Sequence, residues 1–166
     1  TARRAELAFG PRPLAFIKEG IRITFVNHST FLIQVDGVNI LTDPIWSKRT
    51  SPLRWAGPAR MREPGIRFED LPRIHFVLLS HNHYDHLDAY TVKTLPASVT
   101  WFVPVGLGEW IRKRGPTTAV ELNWWQTAQH GRWKVTCVPS QHWSQRIEHG
   151  QNSTLWCAWI VSSGER

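Results

Sequence analysis

Apolar and polar positions alternate along the early chain and give way later to short apolar runs separated by amphipathic stretches. Ile21-Arg22-Ile23-Thr24-Phe25 alternates with period two, which predicts a strand. Phe31-Leu32-Ile33-Gln34-Val35 and Val38-Asn39-Ile40-Leu41 flank Asp36-Gly37. Two such runs joined by Asp-Gly predict a type I′ hairpin, so the chain opens as an antiparallel meander. Asp43-Pro44 ends the third strand, and Ile74 to Leu79 reads as a buried strand. Asp88 is placed to cap a short helix over Ala89 to Leu95, stopped by Pro96. Thr100-Trp101-Phe102-Val103 predicts another strand. Gly106 to Arg114 predicts an amphipathic helix, with Leu107, Trp110 and Ile111 on one face and Gly115 just beyond. Val120 to Leu122, Trp133 to Val138 and Leu155 to Val161 complete the predicted strands. The pattern predicts an α/β (α+β) layer: a mixed, largely antiparallel sheet with helices on one face. Residues 1–20, with Gly10, Pro11, Pro13 and Gly20, show no period and read as an irregular arm packed along a body spanning 21–166.

Between Asp43 and Pro72 runs a long segment with no period. It carries Lys48, Arg49, Arg54, Arg60, Arg62 and Arg67, interleaved with Trp46, Trp55 and Met61. So long a loop inside one domain is unusual unless it binds something. Composition sharpens this. The 166 residues are one domain's worth of chain, and the net charge of +7 draws phosphate-bearing partners such as nucleic acid, anionic lipid headgroups or small phosphoesters. The 10 tryptophans suit surfaces that are apolar at one end and wet at the other, membrane surfaces among them. No apolar run reaches transmembrane length and no signal core is visible near Thr1, which predicts a cytoplasmic or peripheral membrane location. Cys137 and Cys157 lie in strand-like runs and read as buried free thiols.

The chemistry concentrates in Ser80-His81-Asn82-His83-Tyr84-Asp85-His86-Leu87-Asp88, directly after a buried strand. Imidazole and carboxylate are the donors that zinc and similar divalent metals take from proteins. In an extended segment alternate residues point the same way, so His81 and His83 reach one metal together. A turn after them aims Asp85 and His86 at a second. His142 also follows a strand, and by position it is either a further ligand or an ordinary surface histidine. Asp43 is either a turn residue or the acceptor that fixes a ligand histidine's tautomer, and His28 has the same two readings. His75, His130 and His149 read as structural or surface histidines. A two-metal site suits hydrolysis, above all of phosphate esters, because it activates water near neutral pH. No Gly-x-Ser-x-Gly, no Cys–His pairing and no Gly-rich phosphate loop competes with it.

His81-Asn82-His83-Tyr84-Asp85-His86 resembles the His-x-His-x-Asp-His signature of the metallo-β-lactamase superfamily. That resemblance implies an αββα sandwich with a binuclear, zinc-type site at one edge. A narrower resemblance spans roughly residues 21–160. Asn27-His28-Ser29-Thr30, Leu41-Thr42-Asp43-Pro44-Ile45, Ser51-Pro52 with Gly57-Pro58, the stretch from Leu79 to Asp88, Trp101 to Pro104 with Gly106-Leu107, Glu121-Leu122 with Trp124-Trp125, and Pro139 to Trp143 are similar to N-acyl-phosphatidylethanolamine-hydrolysing phospholipase D and its bacterial relatives. Carried onto this chain, the resemblance implies zinc, two ions in the full site. His81, His83 and His142 would hold one, Asp85 and His86 the other and the catalytic chemistry, with Asp43 and His28 behind the ligands. It implies attack of a metal-activated hydroxide on phosphorus, releasing phosphatidic acid and an N-acylethanolamine at a membrane surface. Trp46, Arg60 and Arg62 would then meet the phospholipid, and no nucleic acid is expected. The family takes two further ligands from a second half of the fold, here expected from the same or another chain, homo-oligomers included. The alternatives are another hydrolase of this fold acting on a soluble phosphoester, a lactone or RNA, or an inactive metal-binding or lipid-binding half-domain.

Overall fold

A computed structural model describes residues 10–53 and 55–164. Residues 1–9 of the arm, Arg54 of the basic loop and residues 165–166 lie outside the described residues. The meander is β1 (Ile21–Asn27), β2 (Thr30–Val35) and β3 (Val38–Thr42), all antiparallel. At its hairpin Asp36 and Gly37 both have positive φ, 44° and 82°, as a type I′ turn requires. The following strands are β4 (Phe76–Leu78), β5 (Thr100–Pro104) and β6 (Ala119–Leu122). They join in parallel, giving a six-stranded sheet in the order β1-β2-β3-β4-β5-β6. Parallel pairs therefore outnumber antiparallel ones in this sheet, while the described strands taken together pair mostly antiparallel, as the sequence predicts. The connection carrying α1 (Ala89–Thr94) and the one carrying α2 (Gly108–Arg112) each return the chain to start the next strand in the same direction.

The remaining strands, β7 (Thr127–His130), β8 (Trp133–Val138) and β9 (Ala158–Ser163), form a separate antiparallel sheet. The sequence did not predict β7, because Thr-Ala-Gln-His is short and mostly polar and its identity comes only from pairing with β8. The last strand begins at Ala158 rather than Leu155. The residues before it are tied elsewhere: Leu155 N–H donates to the Val105 carbonyl, Cys157 N–H to that of Ser80, and the Trp156 indole to that of Ser140.

Alternation along the central strands builds two cores. Leu41, Val77, Trp101 and Val103 pack with Val92, Trp110 and Ile111 of the helices. Ile40, Phe76, Leu78 and Phe102 point the other way and pack with Trp133, Val135 and Cys137 of the second sheet. The layers thus run helices, six-stranded sheet, three-stranded sheet. At ~4.8 Å per strand the second sheet covers about half the width of the first. Ile21 and Ile23 are consequently 62% exposed, above a cavity of about 420 Å³ that continues to Trp159 and Val161.

The described part of the arm has neither helix nor strand. It is pinned by two buried amides: Gln34 donates to the Leu14 carbonyl and Asn39 to that of Ala15. The basic loop is also tied down. Trp46 is buried with its indole N–H on the Ile66 carbonyl, Arg49 and Ala59 form an isolated bridge, and Phe68–Asp70 is one 3₁₀ turn.

Candidate metal centre

The parallel strands β3 and β4 deliver the centre at their C-terminal ends. Asp43 directly follows β3 and takes the left-handed conformation at φ 35°, with its carboxylate on Ser80 just past the next strand. β4 runs on through Leu79 into Ser80 and His81. The chain then tightens: the amides of His86 and Leu87 both donate to the His83 carbonyl. This turn sets His86 beside His81, ring centres 4.1 Å apart, and places Asp85 and His86 in a donor group of their own. The β1–β2 turn brings in His28, also left-handed at φ 39°, and the segment after β8 brings in His142.

Two groups of three donors result, each with its ligand atoms within 4.8 Å of one another. The first is His81, His83 and His142; the second is His28, Asp85 and His86. In the first, His81 Nε2 lies 2.9 Å from both His83 Nδ1 and His142 Nε2. Three ring nitrogens converging on one point is an arrangement that imidazoles do not adopt for their own sake. A tetrahedral zinc with Zn–N bonds of ~2.0–2.1 Å spaces its nitrogens only a few tenths of an ångström wider. In the second group, His28 Nε2 is 3.1 Å from Asp85 Oδ2. The residues present therefore fit metals. His28 lies with Asp85 and His86 in a group that could hold a metal, a place beside the donors where the resemblance implies one behind them.

Hydrogen bonds behind the donors set which nitrogen is free. The Ser80 amide donates to Asp43 Oδ1 and its hydroxyl to Asp43 Oδ2, each at 2.7 Å. His86 Nδ1–H donates to Asp43 Oδ2 at 2.8 Å, which leaves His86 Nε2 for a metal. With the Ser80 hydroxyl engaged on Asp43, His81 Nδ1–H donates to its oxygen at 2.8 Å, and His81 Nε2 carries the lone pair. One carboxylate thus orients a donor in each group.

Protonation follows the same division. Burial, then the neighbouring His86, His142 and His83, push the His81 pKa down to about 2, so its ring is neutral. Burial and His142 lower that of His83, with Asp85 opposing. Burial also acts to lower His86, but the hydrogen bond and charge of Asp43, helped by Asp85, outweigh it and the value rises.

Asp88 does more than the helix cap expected of it. Besides the Tyr90 amide, its carboxylate accepts from the Trp46 and Ser47 amides and the Ser47 and Thr91 hydroxyls, tying the basic loop to the end of the metal segment. Trp46, Arg60 and Arg62 belong to neither donor group. Arg60 donates to the Trp46 and Ser47 carbonyls and pairs with Glu63 at 2.6 Å, while Arg62 is exposed. His75 accepts from the Asn39 amide, and His130 packs its ring on Phe76 and Phe102. Sequence reasoning missed Ser80 as a partner of both groups and Trp143, whose ring lies 4.4 Å from that of His83. The adjacency of Ser80 to His81 and of Trp143 to His142 was the available signal.

Comparison with known proteins agrees with this geometry. Residues 38–166 match the family model of the beta-lactamase superfamily domain. The chain is 38% identical over 161 residues to N-acyl-phosphatidylethanolamine-hydrolyzing phospholipase D 1 of Caenorhabditis elegans, covering 90% of this chain and 45% of that protein. It is 41% identical over 143 residues to an uncharacterized protein of Mycobacterium tuberculosis, covering 84% of this chain and 38% of that one. The chain thus spans less than half the length of these relatives. Among solved structures, CmlA, a diiron beta-hydroxylase from Streptomyces venezuelae, superposes with a TM-score of 0.63 at 26% identity, over 89% of this chain and 28% of that one. Fold, donor set and family match agree: the chain belongs to the metallo-β-lactamase superfamily.

Proposed function

We propose that this chain is the metal-ligating part of a zinc-dependent phosphodiester hydrolase of phospholipase D type. Its substrate would be N-acyl-phosphatidylethanolamine and its products phosphatidic acid and an N-acylethanolamine. The observation that carries this is the pair of adjacent three-donor groups built on His81, His83, His142 and on His28, Asp85, His86. The choice of substrate is supported by the 38% identity to the nematode phospholipase. Bound metals supply Lewis acidity toward a phosphoryl oxygen and an activated water. In the reaction, water oxygen bonds to phosphorus, the bond from phosphorus to the ethanolamine oxygen breaks, and that oxygen leaves with a proton.

The chain's own residues prepare the site. His81 presents a neutral ring, Asp43 holds His86 by Nδ1, and Asp85 brings a carboxylate into the second group. The basic loop supplies a membrane-facing surface: Leu53, Trp55 and Met61 are exposed, Met61 at 98%, and Lys48 and Arg62 of the same loop are exposed as well. Apolar tips among cations suit anionic headgroups. Trp46 and Arg60 shape this loop from within. Among the described residues no helix is long and apolar enough to cross a membrane, which is compatible with a peripheral contact.

The test uses the polypeptide that contains this chain, loaded with zinc and given vesicles holding N-acyl-phosphatidylethanolamine. Equal release of phosphatidic acid and N-acylethanolamine, abolished by a chelator, is expected. Hydrolysis of soluble phosphodiesters, lactones or RNA with none on vesicles would move the substrate to the other hydrolases of this fold. Bound metal with no hydrolysis of any of these would leave a metal-binding module.

A further inference from the structure

Arg146 lies four positions beyond His142 and belongs to neither donor group. Its side chain is only 4% exposed. Burying a guanidinium is costly unless its N–H groups are matched, so its partners are informative. Nη1 donates to the Asn82 carbonyl at 3.0 Å and to the Leu87 carbonyl at 2.9 Å. Those two carbonyls bracket His83, Asp85 and His86, and Asn82 directly follows His81. The guanidinium carbon sits 4.0 Å from the centre of the Tyr84 ring, inside the same bracket, and 4.8 Å from that of Trp110 on α2. Glu148 supplies the counter-charge, 3.3 Å from Nε.

The bracketed segment is closed by the His86 and Leu87 amides on the His83 carbonyl and by Asp43 on His86, which leaves its Asn82 and Leu87 carbonyls to Arg146. It belongs to no helix or strand, and both side-chain polar atoms of Asn82 are buried without a partner. Buried backbone carbonyls need donors, and here one side chain serves both ends of the turn. Arg's planar fork suits this, because one group can donate to two carbonyls while its faces stack on rings. We infer that Arg146 is a positioning residue of the metal centre, clamping the turn from Asn82 to Leu87 so that its donors converge. The segment that brings His142 to the first group brings this clamp as well. The third donor of one group and the shape of the turn feeding both therefore arrive together.

This inference rests on the metal-centre reading but not on the choice of substrate, and its test contains no lipid. Two variants are compared with the wild-type chain, R146M, which keeps the stem and removes the donors, and R146K, which keeps charge without the fork. Without metal, hydrogen exchange at the His86 and Leu87 amides is expected to quicken by at least ~10-fold in R146M, while the β8 amides hold their rates. With cobalt(II) as probe, affinity is expected to fall by ~10–100-fold with an altered visible spectrum, and R146K to recover part of both. A folded R146M with wild-type exchange at those amides and wild-type cobalt affinity and spectrum would overturn the inference. Should R146M fail to fold, R146K decides: an intermediate loss upholds the clamp, and values equal to wild type overturn it.

Discussion

The two donor groups share one turn of chain but differ in how they are built. The first takes His81 from the strand end, 3% exposed, and closes it with two rings at 2.9 Å. The second takes an exposed His28 from a two-residue turn and sets it against Asp85 and His86, each only partly buried. The first is made of imidazoles alone and runs from buried His81 through half-buried His83 to exposed His142. The second contains a carboxylate and borrows the charge of Asp43. A metal entering the first displaces no proton from His81, whereas His86 holds its proton to higher pH than usual. The difference teaches that a single motif can furnish two unlike sites when separate neighbours complete each one.

The largest effect that would break this comparison comes from the donors. H81A is expected to abolish metal uptake by the first group, with an activity loss beyond the ~10–100-fold typical of losing an outer partner. H28A is expected to leave the first group loaded, as metal analysis of the dialysed chain will read. Equal losses in the two variants would mean the groups are not separate.

Next in size is D43N. It keeps the shape of Asp43 but loses the charge facing Ser80 and His86. Weaker metal affinity by ~10–100-fold is expected, greater at the second group than at the first. Competition with a chromogenic chelator measures it.

The pH dependence of the metal-free chain sharpens the contrast further. His81 has its folded pKa far below the ordinary 6.5, so the unfolded chain binds its proton more readily. The stability His81 contributes is present above 6.5 and is lost as pH falls toward about 2. His86 behaves oppositely: with its folded value raised, its contribution is complete below 6.5 and disappears as pH rises through the folded value. Thermal melts across pH should therefore show H81Q flattening the acid side and H86Q removing the gain near neutrality. The same slope in both variants would remove the proposed difference.

The smallest effect concerns the membrane surface. R62A is expected to weaken binding to anionic vesicles by about fivefold, from the ~1 kcal/mol that one surface cation contributes. R60A should instead lower the melting temperature, because Arg60 holds the Trp46 and Ser47 carbonyls. Co-sedimentation and thermal melts separate the two, and vesicle binding unchanged in R62A would remove that residue from the lipid-facing surface.

Much of this was legible in the chain itself. Asp36-Gly37 between alternating runs specified the hairpin, because only a few residue pairs adopt two positive φ angles cheaply. The period-two run from Trp133 to Val138 specified a half-buried strand, and its buried positions are Trp133, Val135 and Cys137. The spacing of His81, His83, Asp85 and His86 specified a metal segment, since these side chains are fixed near one another by a few covalent bonds.

What tertiary structure decided is everything that depends on residues distant in sequence. β7 carries no periodic signal and exists through its pairing with β8. That the strands divide into two sheets follows from which faces could be buried together, a property no local window contains. His28 meets the metal segment because the β1–β2 turn lies against Asp85 and His86, and His142 because the segment after β8 folds back onto His81 and His83. Arg146 looked like one more cation among 20 in the sequence, and only burial against two backbone carbonyls set it apart. Local spacing determined that a metal could bind; long-range packing decided which side chains complete each site and what holds them there.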